Sequence, residues 1–196
     1  MGENAQGTKI RILALSGSLR SASSNTALLR AASCLAPEGT EVRLYEELAE
    51  LPHFNPDLDD LDAGVAPRPV MDFRNRLATS DGLIVSSPEY VHGVPGAIKN
   101  AIDWVVGSGD LFEKPTALLN ASMAATHAYA SLTEILKTAD ARIVGEASVR
   151  VGLPTNRIDE TGILSNPGLS GALRAAVAAL ARAIEVGRSQ TDGRFR

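Results

Sequence analysis

Hydrogen-bond donors crowd residues 16–26, which read Ser-Gly-Ser-Leu-Arg-Ser-Ala-Ser-Ser-Asn-Thr. Ser18, Ser23 and Thr26 offer hydroxyls, Asn25 an amide and Arg20 a planar charged fork. Donors of these types at this spacing suit a phosphate, whose oxygens accept from all of them. The flanks place the loop. Residues 9–15 are short, apolar and bounded, the pattern of a buried strand. Residues 26–32 combine good helix formers with a helical apolar face. A strand, a loop of small residues and a helix start bring free backbone N–H groups and the positive end of the helix dipole to one point. The same residues also compose an ordinary capped βα turn, since Ser and Asn are preferred helix caps. The loop taken alone leaves both readings open. It has neither the Gly-Lys-Ser/Thr of a triphosphate-binding loop nor the Gly-x-Gly-x-x-Gly of a dinucleotide fingerprint. A single terminal phosphate is the expected ligand.

The elements around the loop follow a regular alternation. Apolar runs at 9–16, 41–45, 82–86, 116–122 and 142–151 read as strands. Helical patterns fall near 25–35, 69–79, 95–106, 129–138 and 169–186. Apolar strands joined by helices predict one α/β domain with a parallel sheet covered on both faces. The domain is expected to span 9–188, with loose tails at 1–8 and 189–196. In a five-stranded sheet of order 2-1-3-4-5, the switch point lies between the first and third strands, and ligands bind beyond the carboxyl ends there. The loop after the third strand must therefore line the same pocket as the donor-rich loop.

That loop reads Ser-Pro-Glu-Tyr-Val-His-Gly-Val-Pro-Gly-Ala-Ile-Lys-Asn-Ala-Ile-Asp-Trp from 87 to 104. Its prolines and glycines stiffen it, and Tyr90 offers a flat wall to a planar heterocycle. The two loops together resemble the NADPH-dependent FMN reductase family. The likeness rests on Gly-Ser-Leu-Arg-x-x-Ser-x-Asn after the first strand and Pro-Glu-Tyr-x-x-x-x-Pro-Gly-x-x-Lys-Asn-Ala-x-Asp-Trp after the third, and it covers residues 9 to 187. The resemblance implies a flavodoxin-like three-layer sandwich, non-covalent FMN, NADPH or NADH as co-substrate, and a homodimer or homotetramer. It implies hydride transfer from the nicotinamide to FMN and on to a quinone, flavin or other small acceptor, with no catalytic side chain. Carried onto this chain, Ser18, Arg20, Ser23, Asn25 and Thr26 would hold the FMN phosphate. Pro88, Glu89, Tyr90, Val91 and His92 would lie along the ribityl chain and ring, with Glu89 serving loop architecture. Residues 99–104 are expected to pack in the core or at a subunit interface.

One segment departs from the family pattern. Where relatives carry a glycine-rich turn after the fourth strand, this chain has Ala-Ser-Met-Ala-Ala-Thr-His-Ala-Tyr from 121 to 129. Thr126 and His127 stand where a positive φ would favour glycine. Either the loop takes another path, with Ser122 and Met123 still bordering the ring, or the ring site is weakened. The second outcome would leave an FMN-binding or electron-carrier protein with little NAD(P)H turnover.

The bulk composition excludes other classes. A net charge of −4 argues against nucleic acid. The uncharged stretch between 114 and 134 is broken by Asn120, Ser122, Thr126 and His127, so no membrane span is expected. Cytoplasmic location is expected. Cys34 is the single cysteine, expected to be a buried, inert thiol. The acidic run at 57–62 lacks the Gly and distal Glu of an EF-hand and reads as solvated surface. His53 and His127 have no partner at metal-ligand spacing. No Gly-x-Ser-x-Gly elbow supports a serine hydrolase.

Overall fold

A computed structural model describes residues 9–155 and 157–194. The sheet forms from β1 (Ile10–Ser16), β2 (Thr40–Tyr45), β3 (Gly82–Ser86), β4 (Pro115–Asn120), β5 (Arg142–Ile143) and β6 (Val149–Arg150). The helices are α1 (Ser24–Cys34), α2 (Arg68–Ala78), α3 (Gly96–Val106), α4 (His127–Thr138), α5 (Glu160–Ser165) and α6 (Pro167–Arg194). All strand pairs are parallel, in the order β2-β1-β3-β4-β5, and β6 also pairs with β4. The flavodoxin-like order expected from sequence is the one found.

The strands are apolar on both faces because both faces are covered. Along β1, Ile12 and Ala14 join one core with Leu28 and Leu29 of α1 and Leu173 and Leu180 of α6. Leu13 and Leu15 point the other way, into a core with Phe73 of α2, Trp104 of α3 and Leu132 of α4. This period-2 alternation fixes the register, since a one-residue slip would exchange the two faces. The three layers follow directly.

The fifth strand differs from the continuous run expected over 142–151. It is cut into β5 and β6 by a 3-10 turn at Gly145–Ala147, where Gly and Glu disfavour extended backbone. Ser148 repairs the break. Its hydroxyl donates to the Val144 carbonyl at 2.9 Å and accepts the Leu118 N–H of β4 at 3.1 Å. Two further differences lie near the C-terminus. The short helix α5 was not expected, and α6 continues to Arg194, through residues expected to be a loose tail. The expected tail at 1–8 lies outside the described residues. No described helix is long and apolar enough to cross a membrane.

The motif at 99–104 is architectural. Ala101, Ile102 and Trp104 are buried. Trp104 Nε1 and Asn100 Nδ2 both donate to the Pro52 carbonyl, at 2.7 and 2.9 Å, and Asn100 Oδ1 accepts the Phe54 N–H at 2.8 Å. The acidic run at 57–62 is exposed, as expected, except at Asp59. Asp59 is half-buried, its carboxylate in a two-point pair with Arg74, at 2.8 and 2.7 Å, which ties the loop to α2.

Candidate functional site

A cavity of about 710 Å³ opens at the carboxyl edge of the sheet, between the loops that leave β1, β3, β4 and β6. Its place is the switch point where β1 lies between β2 and β3. The first and second loops can meet there because residue 17 is glycine. A Cβ on Gly17 would fall 2.3 Å from Ser87 Oγ, and the Gly17 N–H instead donates to the Ser86 carbonyl at 2.8 Å.

The donor-rich loop is wound by its own hydroxyls. Ser16 Oγ accepts the Ser18 N–H at 3.3 Å, and Ser18 Oγ accepts the Arg20 N–H at 3.3 Å. Ser23 caps α1, its Oγ accepting the Thr26 N–H at 3.4 Å. From β3, the buried Ser86 hydroxyl donates to Asn25 Oδ1 at 3.0 Å. In each of Ser18, Ser23 and Asn25, the protein uses acceptor lone pairs to orient the side chain. The Ser18 and Ser23 hydroxyl protons and the Asn25 Nδ2 group have no acceptor among the described residues, nor do the backbone N–H groups of Ser24 and Asn25. The Arg20 guanidinium is exposed and has no carboxylate partner among them. Donors without acceptors at the positive end of a helix are complementary to an anionic oxygen cluster. The loop is a capped βα turn, and its spare donors face a cavity.

The β3 loop supplies the opposite wall with Pro88, Glu89 and Tyr90. Glu89 Oε2 accepts the Ala128 N–H in the first turn of α4 at 2.9 Å, so its carboxylate holds the β3 loop against the β4 loop. Val91 and His92 form a two-residue turn, with reciprocal Tyr90–Gly93 backbone bonds of 3.1 and 2.9 Å. Both residues have left-handed φ, 50° and 56°, a conformation unusual for a β-branched residue. The turn carries Val91 fully into solvent and His92 onto His127, rings stacked 4.5 Å apart.

The β4 loop resolves the missing glycines. No residue from 121 to 127 has a positive φ. Asn120, at the end of β4, holds the loop with both ends of its amide: Oδ1 accepts the Ser122 N–H at 3.0 Å and Nδ2 donates to the Ala125 carbonyl at 2.8 Å. Ser122 Oγ then accepts the Ala124 N–H at 3.2 Å. Consecutive turns closed by side-chain oxygens replace the glycine turn. Ser122, Met123, Ala124 and Ala125 all line the cavity.

Nine residues singled out from sequence therefore share one cavity: Ser18, Arg20, Ser23, Asn25, Pro88, Glu89, Tyr90, Ser122 and Met123. Three do not line it. The Thr26 hydroxyl is shared with Ser16 Oγ at 2.8 Å, and Thr26 lines a smaller cavity of about 290 Å³ beyond Ser23. Val91 and His92 are carried away by their turn. Sequence reasoning missed Ser24, Ser87, Asn120, Gly152, Leu153 and Thr155. Asn120 and 152–155 carry a signal in their position, since each follows or ends a strand at the ligand edge. Cys34 is a correction: it is exposed, not buried. Its thiol donates to Glu160 Oε1 at 3.2 Å, and that bond, desolvation and the Glu160 charge hold its pKa above the ordinary range, which disfavours the reactive thiolate.

Comparisons with known proteins point to one family. A family model for NADPH-dependent FMN reductases matches residues 10–154. A quinone reductase of Escherichia coli (strain K12) is 30% identical over 166 residues, 82% of this chain and 87% of that protein. An NAD(P)H-dependent FMN reductase of Pseudomonas aeruginosa is 33% identical over 160 residues, 79% of this chain and 84% of the relative. Among solved structures, FerB of Paracoccus denitrificans, a flavoenzyme NAD(P)H:(acceptor) oxidoreductase, superposes with a TM-score of 0.70. The match covers 90% of this chain and 97% of that one at 30% identity. Oxidised flavodoxin 1 of Bacillus cereus, 16% identical with a TM-score of 0.58 over 88% of this chain and 97% of that one, shares the fold.

Proposed function

Because this chain belongs to the NADPH-dependent FMN reductase family, we propose that it is an FMN-dependent NAD(P)H oxidoreductase acting at the cavity described above. When bound, FMN would supply the redox chemistry between a nicotinamide and a quinone, flavin or other small acceptor. The chain supplies the binding groups. The observation that carries this reading is the polarity of the β1 loop. Ser18, Ser23 and Asn25 are oriented through their acceptor atoms, and their donors are spare.

Ser18, Arg20, Ser23 and Asn25 would hold the phosphate, with Ser24 and the first amides of α1. Thr26 would act indirectly, by fixing Ser16 beneath the loop. Pro88 and Tyr90 would flank the ring on one side, Ser122 and Met123 on the other. The Met123 and Ala125 N–H groups have no acceptor among the described residues and suit the acceptor atoms at a ring edge. Glu89, Val91 and His92 shape and anchor the β3 loop. No side-chain nucleophile or acid–base pair is assigned. The reading includes a homodimer or homotetramer in the cytoplasm, for which sedimentation analysis and cell fractionation are the checks.

The test is a visible absorption spectrum of the protein with added FMN, before and after anaerobic NADPH or NADH. Bound flavin that bleaches with either nicotinamide supports the reductase. Flavin that binds but stays oxidised with both makes the chain a carrier. Failure to bind FMN overturns the reading.

A further inference from the structure

Within residues 121–125, three side chains hold the β4 loop by hydrogen bonds, and only one of them reaches it from a distance in sequence. Asn120 and Ser122 act on residues close by. The third is Arg150 of β6, whose guanidinium donates to the Met123 carbonyl. Arg150 is exposed and has no carboxylate partner among the described residues, so this carbonyl is the contact its charge makes.

Met123 also lies close to the same segment. Two residues past Arg150, Gly152 leaves room for the Met123 side chain: a Cβ there would come 3.0 Å from Met123 Cγ. Met123 lines the cavity while remaining 57% exposed. Little packing therefore fixes it, and its position depends on the carbonyl bond. A charge-assisted bond to a carbonyl is the stronger kind, and it polarises the peptide it holds. The Ala124 N–H of that peptide is already committed to Ser122 Oγ, so the plane of the peptide is fixed at both ends.

We propose that Arg150 is a positioning residue, which holds the Met123–Ala124 peptide as the β4-side wall of the flavin cavity in place of a glycine-rich turn. The proposal rests on the FMN reading given above and assigns Arg150 no direct contact with the flavin. It explains how a loop with no left-handed residue keeps a defined path on the open side of the cavity. It also makes the fifth strand, though cut in two, part of the site: β6 is the piece that carries the clamp.

The test compares wild type, Arg150→Ala and Arg150→Lys, with two readouts. In the protein without FMN, amide hydrogen exchange at 123–126 should be roughly 5-fold faster or more in Arg150→Ala, with exchange in α1 and β1 unchanged. With FMN, Arg150→Ala should bind roughly 5- to 10-fold more weakly and show a shifted flavin absorption band, while Arg150→Lys recovers part of both effects. Unchanged exchange at 123–126 overturns the clamp. Faster exchange with wild-type FMN affinity and spectrum overturns its role in the site. Should wild type itself take up no FMN, the functional reading fails, and the exchange comparison still decides the clamp.

Discussion

The Glu89 carboxylate accepts the backbone N–H of Ala128 at 2.9 Å, a bond that spans the loops after β3 and β4. Thr126, the N-cap residue of α4, makes no side-chain cap bond, so Glu89 caps this helix from another loop. A carboxylate there also opposes the positive end of the helix dipole. Glu89→Ala should lower stability by about 1 kcal/mol and loosen FMN, because the two walls of the cavity part together. Glu89→Gln keeps an acceptor and should lose less. Urea unfolding of the three proteins checks this, and equal stability would remove Glu89 from the capping role.

Arg20 poses the complementary case. Its guanidinium has no carboxylate partner among the described residues, and its backbone N–H is committed to Ser18 Oγ. Arg20→Ala should leave the unfolding midpoint unchanged while weakening FMN roughly 10-fold. Riboflavin, which lacks the phosphate, should bind both proteins alike. Titration of the two flavins at low and moderate salt distinguishes the outcomes, because the FMN difference should shrink with ionic strength. A parallel loss for riboflavin would place Arg20 on the ring instead.

The turn at 91–92 stores strain. Two left-handed residues in a two-residue turn are the setting in which Asn-Gly is favoured, and here they are Val91 and His92. Val91 is fully exposed and makes no packing contact that rewards its conformation. Val91→Asn should stabilise the protein by about 1 kcal/mol, read as a higher urea midpoint. It should leave the His92–His127 stack in place. A lower midpoint would mean that Val91 is held by a contact outside this chain.

Much of this was legible in the sequence, for physical reasons that differ by element. The strands β1, β3 and β4 are nearly unbroken apolar runs because both faces are buried, and their register follows from the pleat. The donor-rich loop was legible because helix caps and anion sites draw on the same residues. What escaped notice depends on partners far apart in the chain. The break at Gly145–Ala147 is tolerated because Ser148 satisfies Leu118. The glycine-free loop holds because Asn120 and Arg150 take over a task done locally by backbone freedom. Cys34 was misjudged because helical position alone does not say which residues a neighbouring helix leaves uncovered, and α5 was not foreseen.

Tyr45, at the carboxyl end of β2, links burial to pH. It is 3% exposed, its hydroxyl has no hydrogen-bond partner among the described residues, and its ring packs against Phe73 at 4.9 Å with Arg76 over it at 5.5 Å. Desolvation, with Glu47 and Asp72 nearby, pushes its pKa up to about 12, against the pull of Arg76. The folded state thus holds this proton more tightly than the unfolded chain, whose tyrosines titrate near 10. The stability tied to the proton is fully present below about pH 10 and is lost as pH rises from there toward 12, on the order of 2 kcal/mol. Tyr45→Phe removes both the titration and a desolvated hydroxyl without a partner. It should be more stable than wild type at neutral pH by about 1 kcal/mol, and the gap should widen above pH 10. Urea midpoints at pH 7, 9 and 11 test both halves. A Phe variant less stable at neutral pH would show that the hydroxyl has a partner in solution, and parallel curves would show that Tyr45 titrates normally.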